Sequence, residues 1–156
     1  WTNVNLGSVH SHGIDVTAHV NHQLSTQHLL IMACNYTLQK VRDRTGGKES
    51  KYYDYQVAYT PEYSGGASLA WENPWVNISA NAVLVASRWP NNEHYQGTML
   101  PGYSNVGITL YRDFSIKRCN LHLRFDMKNI LNEQYEIVGH YPMPGRSWMA
   151  TARMKL

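Results

Sequence analysis

Asn120-Leu121-His122-Leu123-Arg124-Phe125-Asp126-Met127-Lys128 alternates apolar and polar residues from end to end. Leu121, Leu123, Phe125 and Met127 fall on one face of an extended chain. Asn120, His122, Arg124, Asp126 and Lys128 fall on the other. A helix would scatter these residues around its circumference, so the stretch reads as a strand with one apolar and one wet side.

The same code recurs on both sides of it. In 103–112, Val106, Ile108 and Leu110 oppose Asn105, Gly107 and Thr109. In 75–89, Val76, Ile78, Ala80, Ala82, Leu84 and Ala86 oppose Asn77, Ser79, Asn81 and Ser87. Trp148, Ala150, Ala152, Met154 and Leu156 oppose Ser147, Thr151, Arg153 and Lys155, and Ile14, Val16, Ala18 and Val20 oppose Asp15, Thr17 and His19. Two more strands fit 27–38 and 66–72. The expectation is an all-β chain, an antiparallel up-and-down meander of about seven strands, each near the ~9–11 residues that cross a bilayer when tilted.

The connections alternate in length. Short ones fall at 21–26, 73–74 and 114–118, and long ones at 39–64, 90–101 and 134–146. Short turns at one end and long loops at the other are the habit of bacterial membrane barrels, whose long loops face outward. Aromatics gather at both ends: Trp71, Trp75, Tyr111 and Phe114 near the short turns, and Tyr36, Trp89, Tyr103, Tyr135 and Trp148 near the long loops. Two such belts are expected at the two membrane interfaces.

Composition agrees. Charged residues are 16 % of the chain, and Tyr (11) and Trp (5) far outnumber Phe (2), which suits a surface partly apolar and partly wet. The net charge of +3 is too small and scattered to argue for nucleic acid. There is no run of about 18 apolar residues for a transmembrane helix. Trp1-Thr2-Asn3-Val4-Asn5 reads as the middle of a strand without an initiator Met, so a fragment or processed product is expected. Cys34 and Cys119 form no framework; they read as two small semi-apolar residues, with a disulfide or metal pair as the alternative. Alternation alone does not say which face is wet. A soluble lipocalin-like β-barrel carrying a small ligand would bury Leu121, Leu123, Phe125 and Met127 inside. A membrane barrel would turn them to lipid.

Several motifs favour the second arrangement. Asn129-Ile130-Leu131-Asn132-Glu133-Gln134-Tyr135 resembles the N-[IL]-[LF]-[DN]-x-x-Y element of TonB-dependent outer-membrane receptors. Tyr141-Pro142-Met143-Pro144-Gly145-Arg146 is similar to that family's Y-P-M-P-G-R before the last strand. Leu100-Pro101-Gly102-Tyr103 resembles its L-P-x-Y, Tyr59-Thr60-Pro61-Glu62-Tyr63 its Y-x-P-x-H with Tyr in place of His, and Gly13-Ile14-Asp15-Val16 its G-[IV]-E/D-[VL]. The motifs run in the family's order and span essentially the whole chain. One departure is the ending Lys155-Leu156, where the family has a terminal aromatic.

The resemblance implies that 1–156 is the C-terminal segment of a receptor barrel of about 22 strands, without its plug domain. It implies the outer membrane of a Gram-negative bacterium, no enzymatic activity and no cofactor. It implies import of a scarce bulky nutrient of the siderophore, haem, cobalamin or glycan class, with outer-membrane lipid, the plug and the TonB complex as partners. An adhesin-like structural barrel is a third reading. The edge strands of such a piece would be open to self-association.

Candidate contacts follow from loop position. His94, Tyr95, His140 and Tyr141 lie in different long loops and are candidates for nutrient contact over the barrel mouth, or else solvated loop residues. His122, Arg124, Asp126 and Lys128 are expected on the lumen side, touching the plug, lining a path or pairing with one another. His10 and His12 form an H-x-H pair suited to a metal or haem, or are simply wet strand-end residues. No phosphate loop, nucleophile elbow or H-E-x-x-H occurs.

Overall fold

The computed structural model describes residues 7–116 and 119–155. Seven strands make one antiparallel sheet: β1 (Val9–Ser25), β2 (His28–Asp43), β3 (Tyr63–Glu72), β4 (Asn77–Val85), β5 (Tyr103–Ile116), β6 (Cys119–Lys128) and β9 (Ser147–Lys155). A two-stranded hairpin, β7 (Glu136–Val138) with β8 (Tyr141–Pro142), is inserted before the last. The order β1-β2-β3-β4-β5-β6-β9 is the expected up-and-down meander, and the β7–β8 hairpin is an addition within the last long loop. The expected strand at 1–5, the end at Leu156 and positions 117–118 of the third short turn lie outside the described residues.

Several boundaries differ from the sequence reading: Phe114–Ile116, expected within the third short turn, continue β5, and the strand expected over 75–89 is confined to Asn77–Val85. Residues 21–25, expected as a connection, continue β1, and the turn is confined to Thr26-Gln27. Asn21 and Gln23 are polar because their face is wet, not because the chain leaves the sheet. A register shift between Gln23 and Ser25 is closed by the Gln23 side-chain amide, which donates to the Ser25 and His28 carbonyls. β1 and β2 are 17 and 16 residues long, because their ladder continues to Val9↔Asp43, past Leu38↔Tyr63 where β2 parts from β3. The turn between β3 and β4 is held by Asn73. Its Oδ1 accepts from Trp75 N (2.9 Å) and Val76 N (3.1 Å), and its Nδ2 donates to Val76 O (2.6 Å).

Directly paired residues of an antiparallel sheet share a face, so the register assigns every side chain. One row joins Met32, Leu69, Ala80, Ile108, Met127 and Trp148 across six strands, and the next joins Leu30, Trp71, Ile78, Leu110, Phe125 and Ala150. The opposite face carries Ser68, Asn81, Thr109, Asp126 and Arg124.

The burial differs from that of a water-soluble fold. On the inner strands the apolar face is left uncovered at Leu69, Leu84 and Leu123, while the edge strands β1 and β9 are exposed on both faces, Ile14 and Trp148 included. Among the described residues the buried apolar side chains are Ala86 and Leu100, whereas Asp43, Gln56, Arg88, Asp126 and Asn129 are buried polar ones. A soluble barrel cannot leave such a band in water. On β2 the band runs from Leu30 to Leu38, eight steps or about 27 Å along the strand. At a tilt near 40° that approaches the ~25 Å apolar height of outer-membrane barrels. The lipocalin-like arrangement is therefore set aside, because Leu123 and its row are not enclosed.

Candidate functional site

The three long connections, 44–62, 86–102 and 129–146, meet at the end of the sheet away from the short turns. Their geometry begins with strand-ending asparagines. Asn129 (φ 49°) and Asn132 (φ 54°) adopt the left-handed backbone that Asn tolerates better than most residues. Asn129 is fully buried. Its Nδ2 donates to Glu133 O (2.9 Å) and Pro144 O (3.2 Å), and its Oδ1 accepts from Glu133 N (3.0 Å). Asn132 Oδ1 accepts from Arg146 N (2.9 Å). The two amides thus clamp both ends of the last loop where β6 stops and β9 starts. Gly145 gives the clamp room, since a Cβ there would lie 2.9 Å from Asn132 Oδ1 and that side chain would have to shift.

Loop-to-loop bonds join the three connections. Arg88 is 4 % exposed and donates through one amino nitrogen to Glu136 O and Ile137 O, both at 2.9 Å. Its guanidinium lies 5.5 Å from the centre of the Tyr103 ring, which stacks on Tyr135 at 4.3 Å. Ala58 N donates to Asn92 Oδ1 (2.7 Å), and Tyr59 N to Trp89 O (2.8 Å).

Between the loops lies a cleft of about 800 Å³. Tyr59 lines it from the first loop, Asn91, Thr98 and Leu100 from the second, and Glu136, His140 and Tyr141 from the third. Of the four loop residues singled out by sequence, His140 and Tyr141 share this cleft. The other two do not line it. The His94 ring is sandwiched between Tyr55 (4.4 Å) and Trp89 (4.5 Å), each 11° from parallel, and its Nε2 sits 2.8 Å from Gln56 O. A carbonyl only accepts, so Nε2 carries the proton and donates it. Tyr95 is 60 % exposed outside the cleft.

Sequence reading did not single out Arg88, Glu136 or Asn91 as site residues. Tyr59 had a signal, as the first residue of the Tyr59-Thr60-Pro61 motif. Arg88 had only its isolation at the end of a strand of small and apolar residues.

The face opposite the apolar band holds the other expected group. Arg124 donates from Nε and an amino nitrogen to the two oxygens of Asp126 (2.8 and 2.7 Å), and Thr109 Oγ1 donates to Asp126 Oδ1 (2.7 Å). His122 Nδ1 is 2.7 Å from Asp113 Oδ1. Lys128, Arg124, Asn81 and Asn105 edge a polar recess of about 400 Å³ on this face. His10 and His12 stand apart on β1, ring centres 5.1 Å from each other. Cys34 and Cys119 are both free thiols.

A family model described as TonB dependent receptor-like, beta-barrel, matches residues 1–130. The chain belongs to this family. It is a family of receptors rather than enzymes, and its outer-membrane barrels agree with the uncovered apolar band. The receptor barrel is also similar in fold to the crystal structure of the siderophore receptor PiuA from Acinetobacter baumannii. That likeness has a TM-score of 0.72 at 14 % identity and covers 93 % of this chain. The chain spans 22 % of the length of that structure. No protein of curated function matches it.

Proposed function

We propose that the receptor barrel serves to import a scarce, bulky nutrient of the siderophore, haem, cobalamin or glycan class across the outer membrane of a Gram-negative bacterium. The single observation that carries this reading is the inversion of polarity: an apolar band left uncovered, with an ion-paired network on the other face. In this reading residues 1–156 supply C-terminal strands of a larger wall of about 22 strands. The band meets lipid, and His122, Arg124, Asp126 and Lys128 face the lumen. A plug domain elsewhere in the receptor fills that lumen, and the TonB complex supplies energy.

The outer cleft is the nutrient contact, with Tyr59, Glu136, His140 and Tyr141 as its reading residues. It combines aromatic faces with a few convergent polar groups, as ligand sites do. His94 organises the loops around it, and Tyr95 is the exposed residue positioned to meet an arriving ligand first. Because PiuA is a siderophore receptor, the siderophore class is the first to test.

The experiment uses the full-length receptor. A deletion strain is supplied with labelled ferric siderophore, haem, cobalamin or oligosaccharide, with and without a functional TonB complex. Uptake of one class that needs both the receptor and TonB supports the proposal, and reduced uptake in Tyr141→Ala places contact in the cleft. Unchanged uptake of all four classes in the deletion strain, with the receptor present in wild-type outer membranes, would overturn it.

A further inference from the structure

The ladder between β1 and β2 runs without a register shift from Val9↔Asp43 to Gln23↔Leu29. Residues two apart on either strand therefore stay on one face. On the face of the apolar band, Ile14 and Val16 stand opposite Leu38 and Tyr36. The next two pairs toward the long-loop end are His12 opposite Lys40 and His10 opposite Arg42. The face changes from apolar to basic within one step of two residues, about 7 Å along the strand.

His10, His12 and Lys40 are exposed. Among the described residues Arg42 is paired with Glu62, and no carboxylate pairs with Lys40, His10 or His12. An imidazole carries no negative charge, so His12 and His10 leave the cations opposite them, Lys40 and Arg42, without a counter-charge across this strand pair. A metal cation is the wrong occupant for this H-x-H pair, because its cross-strand neighbours are an ammonium and a guanidinium.

We infer that this patch binds the phosphorylated headgroup of an outer-leaflet lipid. The inference rests on the sidedness proposed above, with long loops outward. Lys40 supplies a compact cation for phosphate, Arg42 a guanidinium shared with Glu62, and each imidazole an N–H donor. The lipid's acyl chains lie on Ile14, Val16 and Leu38 directly beneath. This order, basic groups immediately above an exposed apolar band, matches an anionic amphiphile at an interface. A free phosphate would gain nothing from the apolar half.

The test uses the full-length receptor, extracted in mild detergent from its own outer membranes. Phosphorylated lipid that co-purifies is counted by native mass spectrometry. Wild type is expected to retain it, and Lys40→Glu/His12→Glu to retain at least about tenfold less, as reversal of two contacts at a charged surface implies. Lys40→Gln/His12→Gln should show an intermediate loss, and Lys48→Glu in the first long loop none. Slowed migration after boiling verifies that each variant assembled.

Equal retention in wild type and the double variants overturns the proposal. So does equal loss in Lys48→Glu, or displacement of the bound species by inorganic phosphate alone. Nutrient uptake is measured in parallel. The patch lies outside the lumen, so uptake persisting in a lipid-free variant leaves the import reading standing, whereas a receptor absent from outer membranes defeats the sidedness itself.

Discussion

Arg124 grips Asp126 from two positions away on the same strand, through parallel N–H···O bonds of 2.8 and 2.7 Å. The carboxylate is 4 % exposed and takes a third bond from Thr109 on β5. A carboxylate so enclosed depends on its partners, because removing one leaves a buried charge without compensation. Arg124→Ala should destabilise the assembled barrel by about 2 kcal/mol, less than a fully buried pair because the arginine is half exposed. Arg124→Ala/Asp126→Asn should recover part of that loss. Urea unfolding of the refolded receptor in detergent measures both, and a double variant no better than the single one would deny the coupling.

The two faces should answer differently to charge. Leu123 is mid-strand on the apolar face, and Leu123→Arg should cost about 2–4 kcal/mol if it lies at mid-bilayer. Ser68, on the opposite face between Ala33 and Asn81, should accept Lys with little effect. The readout is the fraction of full-length receptor reaching the heat-modifiable, membrane-assembled form. Equal tolerance at both sites would reverse the assignment of faces.

Asn129 serves both its backbone conformation and three hydrogen bonds. Asn129→Ala loses all of these, and Asn129→Gly loses only the bonds. Glycine should therefore be the milder change by about 1 kcal/mol. Hydrogen exchange in 129–146 is expected to rise in both, and more in the alanine variant.

His94 acts through stacking and one donated proton. His94→Phe keeps the sandwich with Tyr55 and Trp89 but leaves Gln56 O without its donor, whereas His94→Ala loses both. Protease cleavage within 90–99 should be fastest in the alanine variant and intermediate in the phenylalanine one. If phenylalanine is cut as fast as alanine, stacking does not hold the loop.

β1 and β9 are the two edges of the sheet, at opposite ends of its order. Their backbone groups need partners wherever water is excluded. The chain expressed alone should therefore form edge-paired dimers or larger species by light scattering. A strictly monomeric, detergent-free species would count against a place in a membrane wall.

The local code of the sequence determined the strands, their neighbours and which residues share a face. Strict alternation over 120–128, the Asn73 turn and the asparagines at 129 and 132 all act within a few residues, so they are readable without the fold. Alternation is symmetric, however, and assigns residues to two faces without saying which meets water. Only the tertiary structure shows which side chains are enclosed: it buries Asp126 and Asn129 while leaving Leu69 and Leu123 on the inner strands uncovered. It also decided the fate of the loops. His94 and Tyr95 are neighbours in sequence, yet one is sandwiched between Tyr55 and Trp89 and the other stands exposed. Arg88 reaches carbonyls 48 and 49 residues away. Such contacts have no period, because they depend on where distant loops happen to meet once the sheet has set their ends.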